Sequence, residues 1–167
     1  MATITLKGAA VQTVGSLPAP GIKAPDFTLT KSDLSSVSFS EFAGKKVLLN
    51  IFPSIETSVC SASVRRFNQE AAALDNTVVL CVSRDLPFAH KRFCEAAGIE
   101  GVITASEYKD SSFSDAYPVK MIDGAFAGLF SRAVVVIDEN GIVRYTEQVP
   151  EIGQEPDYEK AIAALKF

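Results

Sequence analysis

The feature that most restricts this chain is an apolar strand, a cysteine-bearing helix and a second apolar strand in direct succession. Val47 to Phe52 is a near-continuous apolar run, as expected for a strand buried on both faces. Pro53-Ser54-Ile55-Glu56-Thr57-Ser58-Val59-Cys60 follows as a proline-led loop turning into a helix. Cys60, Val64, Phe67, Ala71 and Leu74 then recur at steps of four and three. That spacing predicts an amphipathic helix from about Val59 to Leu74, with Cys60 heading its buried stripe. Thr77 to Ser83 reads as a second buried strand. Strand, helix and strand in this order make a crossover joining two parallel strands, which sets the α/β class.

Ser58 is the expected N-cap, its hydroxyl accepting from an orphaned N–H of the first turn. A thiol at Cys60 would face the positive helix end and unpaired N–H groups, both of which favour the reactive thiolate. A cysteine opening an apolar stripe also reads well as a small core side chain, and position alone leaves both readings open. Thr57, three residues back, brings a hydroxyl able to bond the sulfur and a bound oxygen, while Pro53 stiffens the start of the loop. Pro-x-x-x-Thr-x-x-Cys between a buried strand and a helix is a specific pattern. The segment resembles the active-site loop of peroxiredoxins. Phe52-Pro53-Ser54-Ile55 with Val59-Cys60 resembles the bacterial thiol peroxidase branch, the atypical two-cysteine type.

The remaining chain fits a single domain over residues 1–167. Ile4 to Leu6 and Val11 to Val14 flank Lys7-Gly8-Ala9 and predict an N-terminal hairpin within about residues 1–15. Lys23-Ala24-Pro25-Asp26-Phe27-Thr28-Leu29 starts a short strand, a segment that also resembles the start of the peroxiredoxin core. Ser32 to Ser40 is a polar turn and short strand, and Phe39 and Phe42 are expected to cover one sheet edge. Asp85-Leu86-Pro87 opens a second helix, with Asp85 near the cap and Pro87 in the first turn. Its expected apolar face is Phe88, Ala89, Phe93, Ala96 and Ala97, and Gly98 stops it. Val102 to Thr104 is a further short strand. Glu107 to Phe130 is irregular and long, a pattern that is usually functional or covers something. Ser131 to Ile137 and Ile142 to Val149 flank Asn140-Gly141, which signals a type I′ hairpin. Asp157 to Leu165 closes the chain as a helix. The sum is a thioredoxin-like α/β fold, a central mixed sheet flanked by helices with an added N-terminal β-hairpin, and the resemblance covers nearly the whole chain.

Composition removes several function classes. The chain has 167 residues, 47% hydrophobic with 11 Phe, enough for a packed core without staples. Net charge is −4, and Arg65-Arg66 and Lys45-Lys46 read as solvated faces, so nucleic acid is not an expected partner. No apolar run reaches membrane-spanning length, and residues 1–15 lack the pattern of a signal peptide. Three cysteines fit a reducing compartment better than a secreted framework, which points to the cytoplasm. No Gly-rich phosphate loop and no Cys-x-x-Cys occurs, so neither a cofactor nor a thioredoxin-type dithiol is expected. His90 and Cys94 share a helix face, but two ligands do not make a metal site.

Cys81 lies inside an apolar strand and reads as a core thiol. Cys94, on the flank of its helix, is the better candidate to attack an oxidised Cys60. In the thiol peroxidase branch the resolving cysteine falls in this helix, and Phe93-Cys94 matches that position. The resemblance implies a Cys60 sulfenic acid, then a Cys60–Cys94 disulfide recycled by thioredoxin, acting on hydrogen peroxide and alkyl hydroperoxides in a homodimer. Thr57 with the N–H groups of Val59 and Cys60 would donate to the peroxide oxygens, beside Pro53. Sequence alone does not choose the needed cation among Arg65, Arg66, Arg84, Arg92, Arg132 and Arg144. The resemblance picks Arg132. Glu56 is expected to be solvated or paired, and Ala125, Phe126, Leu129 and Phe130 to offer an apolar substrate or partner surface. A thioredoxin-fold binding module or a redox sensor would share much of this sequence pattern.

Overall fold

The computed structural model describes residues 1–166. In chain order the first strands are β1 (Thr3–Leu6), β2 (Ala9–Gln12), β3 (Thr28–Lys31) and β4 (Ser36–Ser38), followed by a 3-10 turn at Phe39–Phe42. Then come β5 (Lys46–Ile51), α1 (Ser58–Glu70), β6 (Thr77–Ser83), α2 (Pro87–Ala97) and β7 (Ile103–Ser106). The chain closes with α3 (Ser112–Ala116), β8 (Ala133–Ile137), β9 (Val143–Gln148) and α4 (Tyr158–Ala164).

β1 and β2 form their own hairpin, and the other strands make one mixed sheet in the order β4-β3-β7-β6-β5-β8-β9. β5 pairs parallel with β6, and β6 with β7, whereas β8 runs antiparallel to β5. Alternation sorts the central strands onto two faces. Val47, Leu49, Ile51, Leu80, Val82 and Val135 pack with Phe27, Phe113, Tyr117 and Phe130. On the other face Leu48, Val79, Cys81, Val134 and Val136 meet Cys60, Val64 and Phe67 of α1 and Tyr158 and Ala161 of α4. The expected α/β architecture with its N-terminal hairpin is what forms.

Local chemistry departs from expectation in several places. Both residues of the Lys7-Gly8 loop have positive φ, 51° and 82°, the signature of a primed two-residue hairpin turn. Asn140-Gly141 does not form the expected type I′ turn, because only Gly141 is left-handed, at φ 77°. Instead the Asp138 carboxylate accepts from the N–H groups of Asn140 (2.9 Å) and Ile142 (3.0 Å) and from Arg144 Nε (2.6 Å). A side chain that satisfies the turn's own backbone competes well with the I′ geometry, and the ladder slips between Val136 and Ile137. Helix α1 ends at Glu70, short of Leu74, where the N–H of Ala72 reaches back to the Phe67 carbonyl.

In α2 the inward face is the expected one only in part: Ala89, Phe93 and Ala97 pack against the core. Pro87 and His90 are buried and Cys94 is half-buried, whereas Phe88 and Ala96 are exposed. Residues 87, 90, 94 and 97 follow the helical repeat, so Cys94 lies on the inner face rather than its flank. Gly98 ends the helix in the left-handed region, as expected.

The long stretch before β8 is a cover. Phe113 of α3 packs edge-on against Phe27 at 5.0 Å and stacks on Tyr117 at 5.0 Å. Phe126 and Leu129 are half-buried against Ile4, Val11, Met121 and Ile152, and Phe130 is fully buried. The apolar surface expected at residues 125–130 is therefore reduced to Ala125 and the outer parts of Phe126 and Leu129, because the hairpin's own apolar side chains cover the rest.

Truncating Phe113→Ala should cost about 3–5 kcal/mol, the range for a fully buried phenylalanine, read as a lowered urea midpoint at unchanged slope. Burial alone would raise the Asp138 carboxyl, but the Ile142 N–H, Arg144 and the Asn140 N–H outweigh it and hold it below its ordinary value. Its stabilising effect is thus complete above about pH 4 and lost as pH falls through the depressed folded value. Denaturation of wild type and Asp138→Asn across pH 7 to pH 2 should show a stability gap that closes only at the acid end.

Candidate active site

Strand register gathers the chemistry at one end of the sheet. Ile51 pairs with Val82 on one side and with Ala133 on the other, and Ser83 pairs with Ser106. The loop after β5, the Ser83–Leu86 turn and the Ser131-Arg132 lead into β8 therefore converge. Carboxyl ends of parallel strands are where open α/β sheets hold ligands.

Helix α1 begins one residue earlier than expected. Thr57, not Ser58, is the N-cap, and neither caps with its side chain. The Thr57 hydroxyl instead donates to the Ser54 carbonyl at 3.2 Å, closing the loop on itself. The N–H groups of Ser58, Val59 and Cys60 have no acceptor within the helix, as at any N-terminus. Pro53 is buried at the start of the loop, and Val59 is half-buried. Glu56 is exposed, 4.0 Å from Arg92.

Cys60 is fully buried, and Arg132 Nη1 donates to its Sγ at 3.3 Å. Arg132 is itself only 2% exposed. Its Nε and Nη2 both donate to the Ile152 carbonyl, at 3.0 and 2.9 Å. The other five candidate cations are engaged elsewhere: Arg65 over the Phe93 ring, Arg66 with Glu70, Arg84 with Glu107 and the Gly128 carbonyl, Arg92 near Glu56, and Arg144 with Asp138. Geometry thus brings Arg132, alone of the six, to the sulfur. Ile152 is held in turn by the hairpin, its N–H donating to the Thr5 carbonyl at 2.9 Å and its side chain packing with Ile4, Val11 and Met121.

All three thiols are free. Burial pushes the Cys81 thiol up to about 12, with the Asn50 amide opposing and nearby Cys94 adding to the rise. Burial also raises Cys94, opposed by a hydrogen bond with Thr104. Cys60 and Cys94 lie on the same side of the sheet, and Arg65 of α1 sits 5.1 Å from the centre of the Phe93 ring of α2.

Asp85 lies beside the helix cap, as expected, but has a further role that the sequence did not show. The N-cap of α2 is Leu86, and the Asp85 side chain turns toward the cysteine loop. Its Oδ1 accepts from Ser54 Oγ at 2.7 Å, and its Oδ2 from the Ile55 N–H at 2.8 Å and Ser83 Oγ at 2.5 Å. Burial would raise this carboxyl, but His90, Ser83, the Ile55 N–H and Ser54 together hold it at about 2. Because the Ser83 proton goes to Asp85, the fully buried His90 donates its Nε2–H to Ser83 Oγ at 2.7 Å. His90 therefore faces Ser83 and not Cys94. Among the described residues no group of three or more His, Cys, Asp or Glu side chains could hold a metal ion.

Comparison with known proteins agrees with this geometry. The Redoxin family model matches residues 19–162. The thiol peroxidases of Mycobacterium bovis and Mycobacterium tuberculosis are each 59% identical over 165 residues, covering 99% of this chain and 99% of theirs. A peroxiredoxin-like protein from Aquifex aeolicus superposes at a TM-score of 0.93 with 35% identity, covering 98% of this chain and 95% of that one. A thiol peroxidase from Chromobacterium violaceum shares the fold at a TM-score of 0.89 and 16% identity, over 98% of this chain and 95% of its own. With a family match over most of its length and whole-chain kinship to thiol peroxidases, the chain belongs to the Redoxin family, as a thioredoxin-like, peroxiredoxin-type enzyme that reduces peroxides with thiols.

Proposed function

We propose that residues 1–167 act as one domain that reduces hydrogen peroxide and organic hydroperoxides through Cys60, with Cys94 as the resolving thiol and thioredoxin as reductant. The observation that carries this reading is the 3.3 Å contact between Arg132 Nη1 and Cys60 Sγ in a buried setting. A guanidinium there stabilises negative charge on sulfur and, in the transition state, on the oxygen being transferred.

In the cycle, the Cys60 thiolate attacks one peroxide oxygen and the O–O bond breaks. The leaving oxygen takes a proton and departs as water or an alcohol, and Cys60 becomes a sulfenic acid. The Cys94 sulfur then displaces hydroxide from the Cys60 sulfur, releasing water once the Cys94 proton is counted, and a disulfide forms. An external dithiol such as thioredoxin supplies the two electrons that return both thiols. Thr57 is placed to turn its hydroxyl from the Ser54 carbonyl to a bound peroxide, beside the unpaired N–H groups of Val59 and Cys60 and the buried ring of Pro53. Leu86 and Phe88, 53% and 64% exposed next to this loop, offer an apolar contact for a second subunit or the reductant, and support a homodimer. Three unpaired cysteines suit the reducing cytoplasm.

Peptide mapping under non-reducing conditions after peroxide treatment should give a Cys60–Cys94 link with Cys81 free; a link through Cys81 would overturn the roles. Cys60→Ser should lose turnover, whereas Cys94→Ser should consume one equivalent of peroxide and stop at the sulfenic acid. Arg132→Lys should slow Cys60 oxidation by about a hundredfold or more, the scale of removing one transition-state donor, and rapid-mixing kinetics would measure it.

A further inference from the structure

The turn that leads into Cys60 packs Ile55 into the core and takes its buried polar hold from one carboxylate. Within the loop, the Ser54 carbonyl accepts from the Thr57 N–H at 3.2 Å and the Ser54 hydroxyl from the Glu56 N–H at 3.1 Å. Apart from the exposed Glu56–Arg92 pair, the described side-chain hydrogen bonds that leave residues 54–57 for other elements end on Asp85. Asp85 stands on a rigid base. Its carbonyl accepts from Ser106 Oγ at the end of β7, and its carboxylate accepts from Ser83 Oγ at the end of β6. Ser83 is braced by His90, which lies on α2 one turn before Cys94. A single side chain thus joins the loop leading into Cys60 to the root of the helix bearing Cys94.

The two sulfurs are held over different parts of the sheet. Cys60 is gripped by Arg132, which leads into β8, whereas the helix that carries Cys94 packs on β7. β8 and β7 are separated by β5 and β6, so these strands stand on the order of 14 Å apart at the usual strand spacing. A disulfide requires Cα atoms within roughly 7 Å. The peroxide step therefore needs the loop closed against Arg132, and the disulfide step needs it released.

We propose that Asp85 is a positioning residue that sets the balance between these two states. It holds the Ser54-Ile55 turn, and through it Thr57 and Cys60, in the arrangement that meets Arg132, and its hydrogen bonds must break before Cys60 can reach Cys94. This assignment rests on the Cys60–Cys94 cycle proposed above. It requires opposite effects on the two steps, which general destabilisation does not produce.

Rapid-quench alkylation and mass spectrometry on the full-length protein would time both steps in a single turnover. Asp85→Asn should slow Cys60 oxidation by roughly ten- to hundredfold, the scale of hydrogen bonds to a charged group. It should leave the conversion of sulfenic acid to disulfide as fast as in wild type or faster. With excess peroxide, less sulfinic acid should accumulate per turnover, because a sulfenic acid that meets Cys94 sooner escapes a second oxidation. Ser54→Ala removes the loop's hydroxyl bond to Asp85, together with the Glu56 N–H bond inside the loop, without touching the β6–α2 junction, so it should show the same split more weakly even where Asp85→Asn folds poorly. Combined with Asp85→Asn it should add little. Two variants with wild-type rates, or with both steps slowed in parallel, overturn the proposal. Wild type that turns over through the Cys60–Cys94 disulfide beside unaffected variants would sink this assignment alone. Wild type that never forms the link would sink the cycle and this assignment with it.

Discussion

A buried guanidinium with one carbonyl and one sulfur for partners is the interaction on which the site depends. Taking a permanent cation out of water is costly unless its donors are satisfied and its charge is answered. Arg132 satisfies two donors on the Ile152 carbonyl and directs a third at Cys60. A carbonyl supplies only a dipole. Of the two partners, the sulfur is the one whose chemistry allows a negative charge to answer the buried cation. The buried arginine and the cysteine proposed to react with peroxide are thus two halves of one pairing.

That pairing relies on parts of the chain far from the cysteine. The Ile152 carbonyl is fixed because its own N–H is bonded to Thr5, whose N–H bonds Pro150 in turn at 2.8 Å. Glu151 adds to the seam, accepting from Thr5 Oγ1 at 3.1 Å and from the Gly8 N–H at 2.9 Å. The N-terminal hairpin, which lies outside the main sheet, is thereby a structural support for Arg132. Phe126 and Leu129 cover the same apolar seam, which explains why only their outer parts are free to form a surface. The sheet contributes register: one pairing at Ile51 aligns the Cys60 loop, the Asp85 turn and Arg132 at a common end.

Elements whose identity rests on periodicity were legible in the sequence. The stripe from Cys60 to Ala71, the β5 and β6 runs, and the helix capped by Asp157 all formed where the pattern put them, with Asp157 accepting from the Lys160 N–H at 3.1 Å. What escaped was the choice made by each short polar side chain among several nearby partners. Ser58 and Thr57 are both good caps by residue type, yet Thr57 is held by the Ser54 carbonyl. Asp85 before Leu86-Pro87 has the look of a cap, but the Ser54-Ile55 loop, 30 and 31 residues earlier in the chain, took its carboxylate. Asn140-Gly141 lost its expected turn to Asp138 for the same reason. Arg132 could be picked only by resemblance, because the pairing of β5 with β8 that brings it to Cys60 is a contact between distant parts of the chain.

Burial alone does not separate the cysteine proposed as the nucleophile from one that fills the core. Cys60 and Cys81 are both fully buried on the same face of the sheet. Cys81 has for a neighbour the Asn50 amide at 3.8 Å, a weak donor whose effect desolvation overwhelms, and its thiol stays protonated. Cys60 has a guanidinium instead, and sits in the first turn of a helix where the backbone N–H groups are unspent. The difference lies in the partner and in the position along the element. Partner and position along the element, not exposure to water, thus distinguish the thiol proposed to react from the one that fills the core.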